Sequence, residues 1–164
     1  MAIAHQTMLY VEFPAQCEAV YVSLVVENPL TGTRCTVDAK VDTGSPYTIP
    51  PAEVRTLLGL EELCPETLEC VDGSLFETSV CMARIILDDS GDCLDFPAHI
   101  AESDITMPLL GMDILRKGDT VITHVQDQEE LLLRFTFELL PEDQRLLPQT
   151  YTLSPTLLML KTAR

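Results

Sequence analysis

The chain has 164 residues, with 26 acidic against 10 basic side chains and a formal net charge of −16. So acidic a surface repels phosphate backbones and anionic lipid, which argues against nucleic acid and membrane surfaces as partners. Apolar residues make up 46% of the chain, enough for the core of one domain. They fall in short runs broken by 11 prolines and 7 glycines, the texture of a mainly β fold rather than a helical bundle.

In chain order, residues 8–13 and 19–27 alternate apolar and polar side chains and predict strands. Asn28-Pro29-Leu30-Thr31-Gly32 marks a turn, and 35–41 resumes the extended pattern, so the chain opens with a hairpin. Tyr47-Thr48-Ile49 reads as a short strand stopped by Pro50-Pro51, and 52–58 as one or two helical turns closing near Gly59. Between 67 and 87 a second hairpin turns at Val71-Asp72-Gly73-Ser74, where Asp-Gly is a strong tight-turn signal. A strand over 94–100 leads to Leu109-Leu110-Gly111, a short helix is predicted over 112–117, and strands over 121–125 and 131–139 close the domain. Residues 1–140 thus form one predicted domain. Residues 141–164 form a C-terminal extension, with a candidate terminal strand at 151–160.

The six cysteines, at 17, 35, 64, 70, 81 and 93, lack the spacing of a zinc site, and the three histidines stand far apart. No metal and no cofactor is expected. Residues 1–6 lack the basic start and apolar stretch of a secretory signal, which predicts a cytoplasmic protein with reduced thiols. Acidic pairs such as Glu61-Glu62 and Asp88-Asp89 read as solvated surface.

One segment carries chemistry. The apolar run 35–41 ends in Asp42-Thr43-Gly44-Ser45, which delivers a carboxylate at a tight turn that glycine permits. Alone, the tetrapeptide fits an ordinary turn. Its place in a larger order changes the balance: Ala39-Lys40-Val41-Asp42-Thr43-Gly44-Ser45, then the Asp-Gly hairpin, then Pro108-Leu109-Leu110-Gly111-Met112-Asp113-Ile114-Leu115 before a short helix. In that order and spacing, residues 8–125 resemble the retropepsin family of aspartic proteases, including its cellular and bacterial single-domain members.

The resemblance implies an all-β, closed-barrel fold with one short helix, working as a homodimer on an extended polypeptide. It implies that Asp42 is the catalytic carboxylate, that Thr43 braces the paired loops across the dimer, and that Gly44 shapes the loop. Ser45 stands where its hydroxyl would donate to Asp42. Val71, Asp72, Gly73 and Ser74 resemble the flap tip that closes over substrate, and Leu109, Leu110 and Gly111 the element passing behind the active-site loop. Leu75, Ile49 and Leu109 are apolar pocket candidates, each equally well explained as core.

Two features depart from the viral pattern: the flap has one glycine and an acidic tip, and the chain runs well beyond the helix. Asp113 reads as a structural cap at the positive end of that helix rather than as a second catalytic acid. A different reading is a catalytically silent module that keeps the fold for dimerisation or peptide binding.

Overall fold

The computed structural model describes residues 8–87, 93–101, 107–127 and 130–141. The candidate strand at 151–160 and nearly all of the C-terminal extension lie outside the described residues.

Among the described residues, nine strands and two short helices follow one another: β1 (Met8–Pro14), β2 (Tyr21–Glu27), β3 (Arg34–Val41), α1 (Glu53–Leu58), β4 (Glu62–Glu69), β5 (Leu75–Ile86), β6 (Cys93–Ala101), β7 (Leu109–Leu110), α2 (Met112–Leu115), β8 (Gly118–Asp127) and β9 (Glu130–Leu139). They form two sheets. The smaller has the order β1-β9-β8. The larger has the order β4-β5-β2-β3-β7, with β6 on β5. Hydrogen bonding among the described residues does not close either sheet into a ring.

The core sits between the sheets. In β2, Val22, Leu24 and Val26 point inward at the period-2 spacing of a half-buried strand. They meet Cys81, Ala83 and Ile85 of β5 and Phe96 and Ala98 of β6 in one cluster. Phe135 and Phe137 of β9 fasten the small sheet to this core and are 0% and 1% exposed. Each buried ring contributes roughly 1.5–3 kcal/mol.

The β2–β3 hairpin is fixed by Asn28, which is buried. Its backbone N–H donates to Thr33 O at 2.9 Å, and its Oδ1 accepts the Leu30 N–H at 2.9 Å. Its Nδ2 donates to Leu58 O at 2.9 Å and Gly59 O at 3.2 Å. One side chain therefore satisfies carbonyls at the end of α1 that the helix cannot, while Gly59 at φ 63° supplies the left-handed cap.

The mainly β expectation holds, as does the opening hairpin. Two helices form rather than the single one implied by resemblance; α1 matches the turns read at 52–58. Tyr47-Thr48-Ile49 is not a strand, contributing only an isolated bridge between Ile49 and Leu109. Among the described residues no helix is long and apolar enough to cross a membrane.

Candidate active site

Strand β3 runs parallel to β7, with Lys40 beside Leu109 and Val41 beside Leu110. The pairing continues one residue further, where the Asp42 N–H donates to Leu110 O at 3.0 Å. Asp42 is thereby delivered, half-buried, at the end of a strand anchored in the larger sheet.

The turn that follows is tight. Gly44 N–H donates to Asp42 Oδ1 at 2.9 Å, and Ser45 N–H to Asp42 O at 3.2 Å. A Cβ on Gly44 would lie 3.1 Å from Asp42 Oδ1, so glycine gives the carboxylate room to meet that N–H. The expected bond from the Ser45 hydroxyl to the Asp42 carboxylate does not form. Ser45 Oγ donates instead to Tyr47 O at 2.7 Å, because the chain curls back within two residues and offers a nearer acceptor. The donor to the carboxylate is the backbone of Gly44.

Hydrogen bonds tie Leu109, Leu110 and Gly111 to this loop. Ile49 and Leu109 exchange backbone hydrogen bonds, both at 2.9 Å, and Met112 N–H and Asp113 N–H donate to Ser45 O and Pro46 O at 2.9 and 3.1 Å. Gly111 is required by contact: a Cβ there would sit 2.2 Å from Tyr47 O.

Asp113 is structural, as read, but it is not the N-cap. That position belongs to Gly111, without a side-chain cap. Asp113 is buried, and its Oδ1 accepts both the Thr48 hydroxyl at 2.6 Å and Ile114 N–H at 2.9 Å. Thr48 Oγ1 in turn accepts Gly111 N–H at 3.0 Å. The loop carrying Asp42 is thus bolted to α2 through both backbone and side chain.

The β4–β5 hairpin carries the four residues that the resemblance reads as a flap tip. Cys70 N–H donates to Ser74 O at 2.8 Å, Gly73 N–H donates to Cys70 O at 2.9 Å, and Gly73 adopts φ 81°. Asp72 Oδ1 accepts the Ser74 hydroxyl at 2.6 Å and its N–H at 2.9 Å. These bonds, the hydroxyl first, hold the Asp72 carboxyl below its usual range. Val71, Asp72, Gly73 and Ser74 are all exposed, and their hydrogen bonds stay within the tip. Of the pocket candidates, Ile49 is buried core and Leu75 is exposed beside the tip.

The β4–β5 hairpin is tied to the Asp42 loop by residues that the sequence did not single out together. The Tyr47 ring stacks on His99, with centroids 4.0 Å apart. His99 Nε2 lies 2.8 Å from Glu66 Oε2 of β4. Their separation along the chain leaves no local signal by which to pair them.

No protein-family model matches the chain, and no curated protein matches it. A solved structure does match: a retropepsin-like aspartic protease from Rickettsia conorii, with a TM-score of 0.52 at 15% identity, over 85% of this chain and 100% of that chain. The fold is retropepsin-like. Within that retropepsin-like fold, Asp42 stands at the end of β3, which lies between β2 and the two-residue parallel strand β7.

Proposed function

We propose that the chain is an aspartic endopeptidase that acts as a symmetric homodimer, each copy supplying one Asp42. The observation that carries this reading is the half-buried Asp42 carboxylate, held by Gly44 N–H in a loop that α2 and Leu109-Leu110-Gly111 brace from behind. A turn alone needs glycine but not an acid or so much support.

Peptide hydrolysis by this route takes two carboxylates on one water. One accepts the water's proton, while the other, protonated, polarises the scissile carbonyl. Only one Asp-Thr-Gly occurs in the sequence, so the second carboxylate comes from another copy. Like charges that close cannot both ionise easily, and the Asp42 pair shares a proton and titrates as a unit. Thr43, exposed in the isolated chain, braces the partner's loop in this reading.

Substrate lies extended between this floor and the two hairpin tips, held mainly by backbone hydrogen bonds. The chemistry calls on no cofactor, and the reading places the protein in the cytoplasm.

The test is cleavage of a mixed peptide library by the wild type and Asp42→Asn across pH 4 to 8, with sedimentation in the same buffers. Cleavage by the wild type that vanishes in a still-dimeric Asp42→Asn supports the protease. No cleavage from a confirmed dimer turns the reading toward a silent peptide-binding module.

A further inference from the structure

We propose that His99 is a positioning residue that latches the β4–β5 hairpin, through Glu66, to the Asp42 loop, through Tyr47, so that lifting the hairpin from its base loosens the loop that carries the acid. The proposal rests on the protease reading of Asp42 and names what holds the cover of that site in register with its floor.

The latch sits where the hairpin leaves the sheet. Strand β5 pairs with β6 from Ile86 back to Thr78, which faces Ala101, and with β4 from Cys81 back to Leu75. From Thr78 toward the tip, β4 and β5 therefore pair only with each other among the described residues. Glu66 lies opposite Thr78 on that last shared rung, and the Thr78 hydroxyl donates to Glu66 O at 2.9 Å. Further out, Thr67 bonds Glu77 and Ser74 bonds Asp72, both within the hairpin. At about 3.3 Å per residue, the stretch from Glu66 to Val71 is an arm of roughly 16 Å. His99 faces Val80, two residues along β5 from Thr78, so Glu66 and His99 stand on one face of the sheet with β5 between them.

His99 is 3% exposed, and its ring is held from two sides. Nε2 lies 2.8 Å from Glu66 Oε2; a carboxylate only accepts, so Nε2 carries a proton and donates it. The Tyr47 ring stacks on the imidazole. The other ring nitrogen, Nδ1, is buried and has no hydrogen-bond partner among the described residues. Glu66 is thus the polar anchor of the ring. Without it both ring nitrogens would be buried and unpaired, a costly state that the ring relieves by turning toward water. Turning breaks the stack on Tyr47.

From Tyr47 the path to the acid is short. Tyr47 O accepts the Ser45 hydroxyl at 2.7 Å and stands so close to Gly111 that a Cβ there would lie 2.2 Å away. Beside it, Thr48 O accepts the His99 N–H at 3.4 Å, and Ser45 N–H donates to Asp42 O at 3.2 Å. A shift of Tyr47 therefore moves a loop that is packed without slack. The two ends of the latch differ. The Glu66 side chain is 42% exposed, so the latch opens there, its carboxylate swinging into water while the ring stays inside. Closed, it holds the tip over the floor. Open, it frees the arm, and bound substrate has to restore the closed register, so the loss falls on KM more than on kcat.

The experiment compares Glu66→Ala, Glu66→Gln and His99→Phe in the full chain, by hydrogen–deuterium exchange over 42–49 and 66–78 and by steady-state cleavage of a peptide drawn from the library. Glu66 is the main target because its partly exposed side chain can be removed without opening the core. Glu66→Ala is expected to speed exchange in both segments, and to raise KM about fivefold while kcat changes less than about twofold. Glu66→Gln, whose amide oxygen still accepts from Nε2, should recover most of both effects. His99→Phe keeps a ring on Tyr47 but cannot bond Glu66, so it should free the hairpin and spare the loop. Faster exchange of the hairpin alone in Glu66→Ala overturns the latch, as does a lower melting temperature with exchange and KM unchanged. Cleavage that Asp42→Asn abolishes and Glu66→Ala leaves untouched keeps the protease and removes the latch. If the wild type cleaves nothing, the protease reading falls, and exchange in the two segments still decides the latch.

Discussion

Thr48 donates its hydroxyl proton to Asp113 Oδ1 at 2.6 Å, a buried bond between residues 65 positions apart. Because Thr48 Oγ1 also accepts Gly111 N–H, Thr48→Val keeps the volume but strips both bonds. It is expected to cost about 1–3 kcal/mol in urea unfolding and to lower cleavage as the Asp42 loop loosens. Thr48→Ser, which retains the hydroxyl, should lose less than half of that stability.

Asp113 Oδ2 is buried, with no hydrogen-bond partner among the described residues. Asp113→Asn keeps the Oδ1 acceptor for Thr48 and Ile114, so it should cost less stability than Asp113→Ala. Asp113→Ala strands the Thr48 hydroxyl and is expected to cost about 1–3 kcal/mol. Equal losses in the two variants would contradict this account of Asp113.

Gly111 and Gly44 make a contrasting pair. A Cβ at Gly111 would meet backbone at 2.2 Å, whereas one at Gly44 would meet only the Asp42 carboxylate at 3.1 Å. Gly111→Ala must therefore push the loop away from α2, costing about 1–3 kcal/mol and abolishing cleavage. Gly44→Ala should leave the melting temperature nearly unchanged while disturbing the pH dependence of cleavage, since it crowds the Asp42 carboxylate itself.

Buried Glu27 accepts from Arg34 at 2.5 Å and from Arg84 at 3.4 Å. The Arg34 hydrogen bond, foremost, holds its carboxyl below the usual 4.5. A depressed folded value stabilises above the unfolded one, and that contribution is lost as pH falls through the folded value. Glu27→Gln should therefore lower the melting temperature at pH 7, and the gap to wild type should close as pH drops below 4.5. A gap that stays constant down to pH 3 would count against it.

Cys17, Cys64 and Cys70 are exposed, whereas burial pushes the Cys35 and Cys81 thiols up. At pH 8 an aromatic disulfide reagent should label those three rapidly, Cys35 more slowly, and Cys81 only on unfolding. Rapid modification of Cys81 in the native protein would mean that the β5 core opens.

Much of the fold could be read from neighbours along the chain. The alternation in β2, the Asn-Pro-Leu-Thr-Gly turn and the Asp-Gly tip each depend on residues a few positions apart, and each stands where expected. The strand read at Tyr47-Thr48-Ile49 does not, because its partner β7 is two residues long and supports only one bridge. The segments read at 121–125 and 131–139 fall inside a longer hairpin, pairing from Gly118 to Leu139 and from Asp127 to Glu130. Pairing lengthened those strands past the limits of their apolar pattern.

Asp42, its glycine, the Leu-Leu-Gly element and the acidic surface belong to the sequence itself, because composition, turn chemistry and motif order are local properties. Which group bonds the Asp42 carboxylate, and that Thr48 and Asp113 lock the loop to α2, were decided by tertiary structure. Each of these depends on which distant segments share a boundary once the two sheets pack, and a hydroxyl or a strand edge takes its partner from whatever that packing brings within about 3 Å.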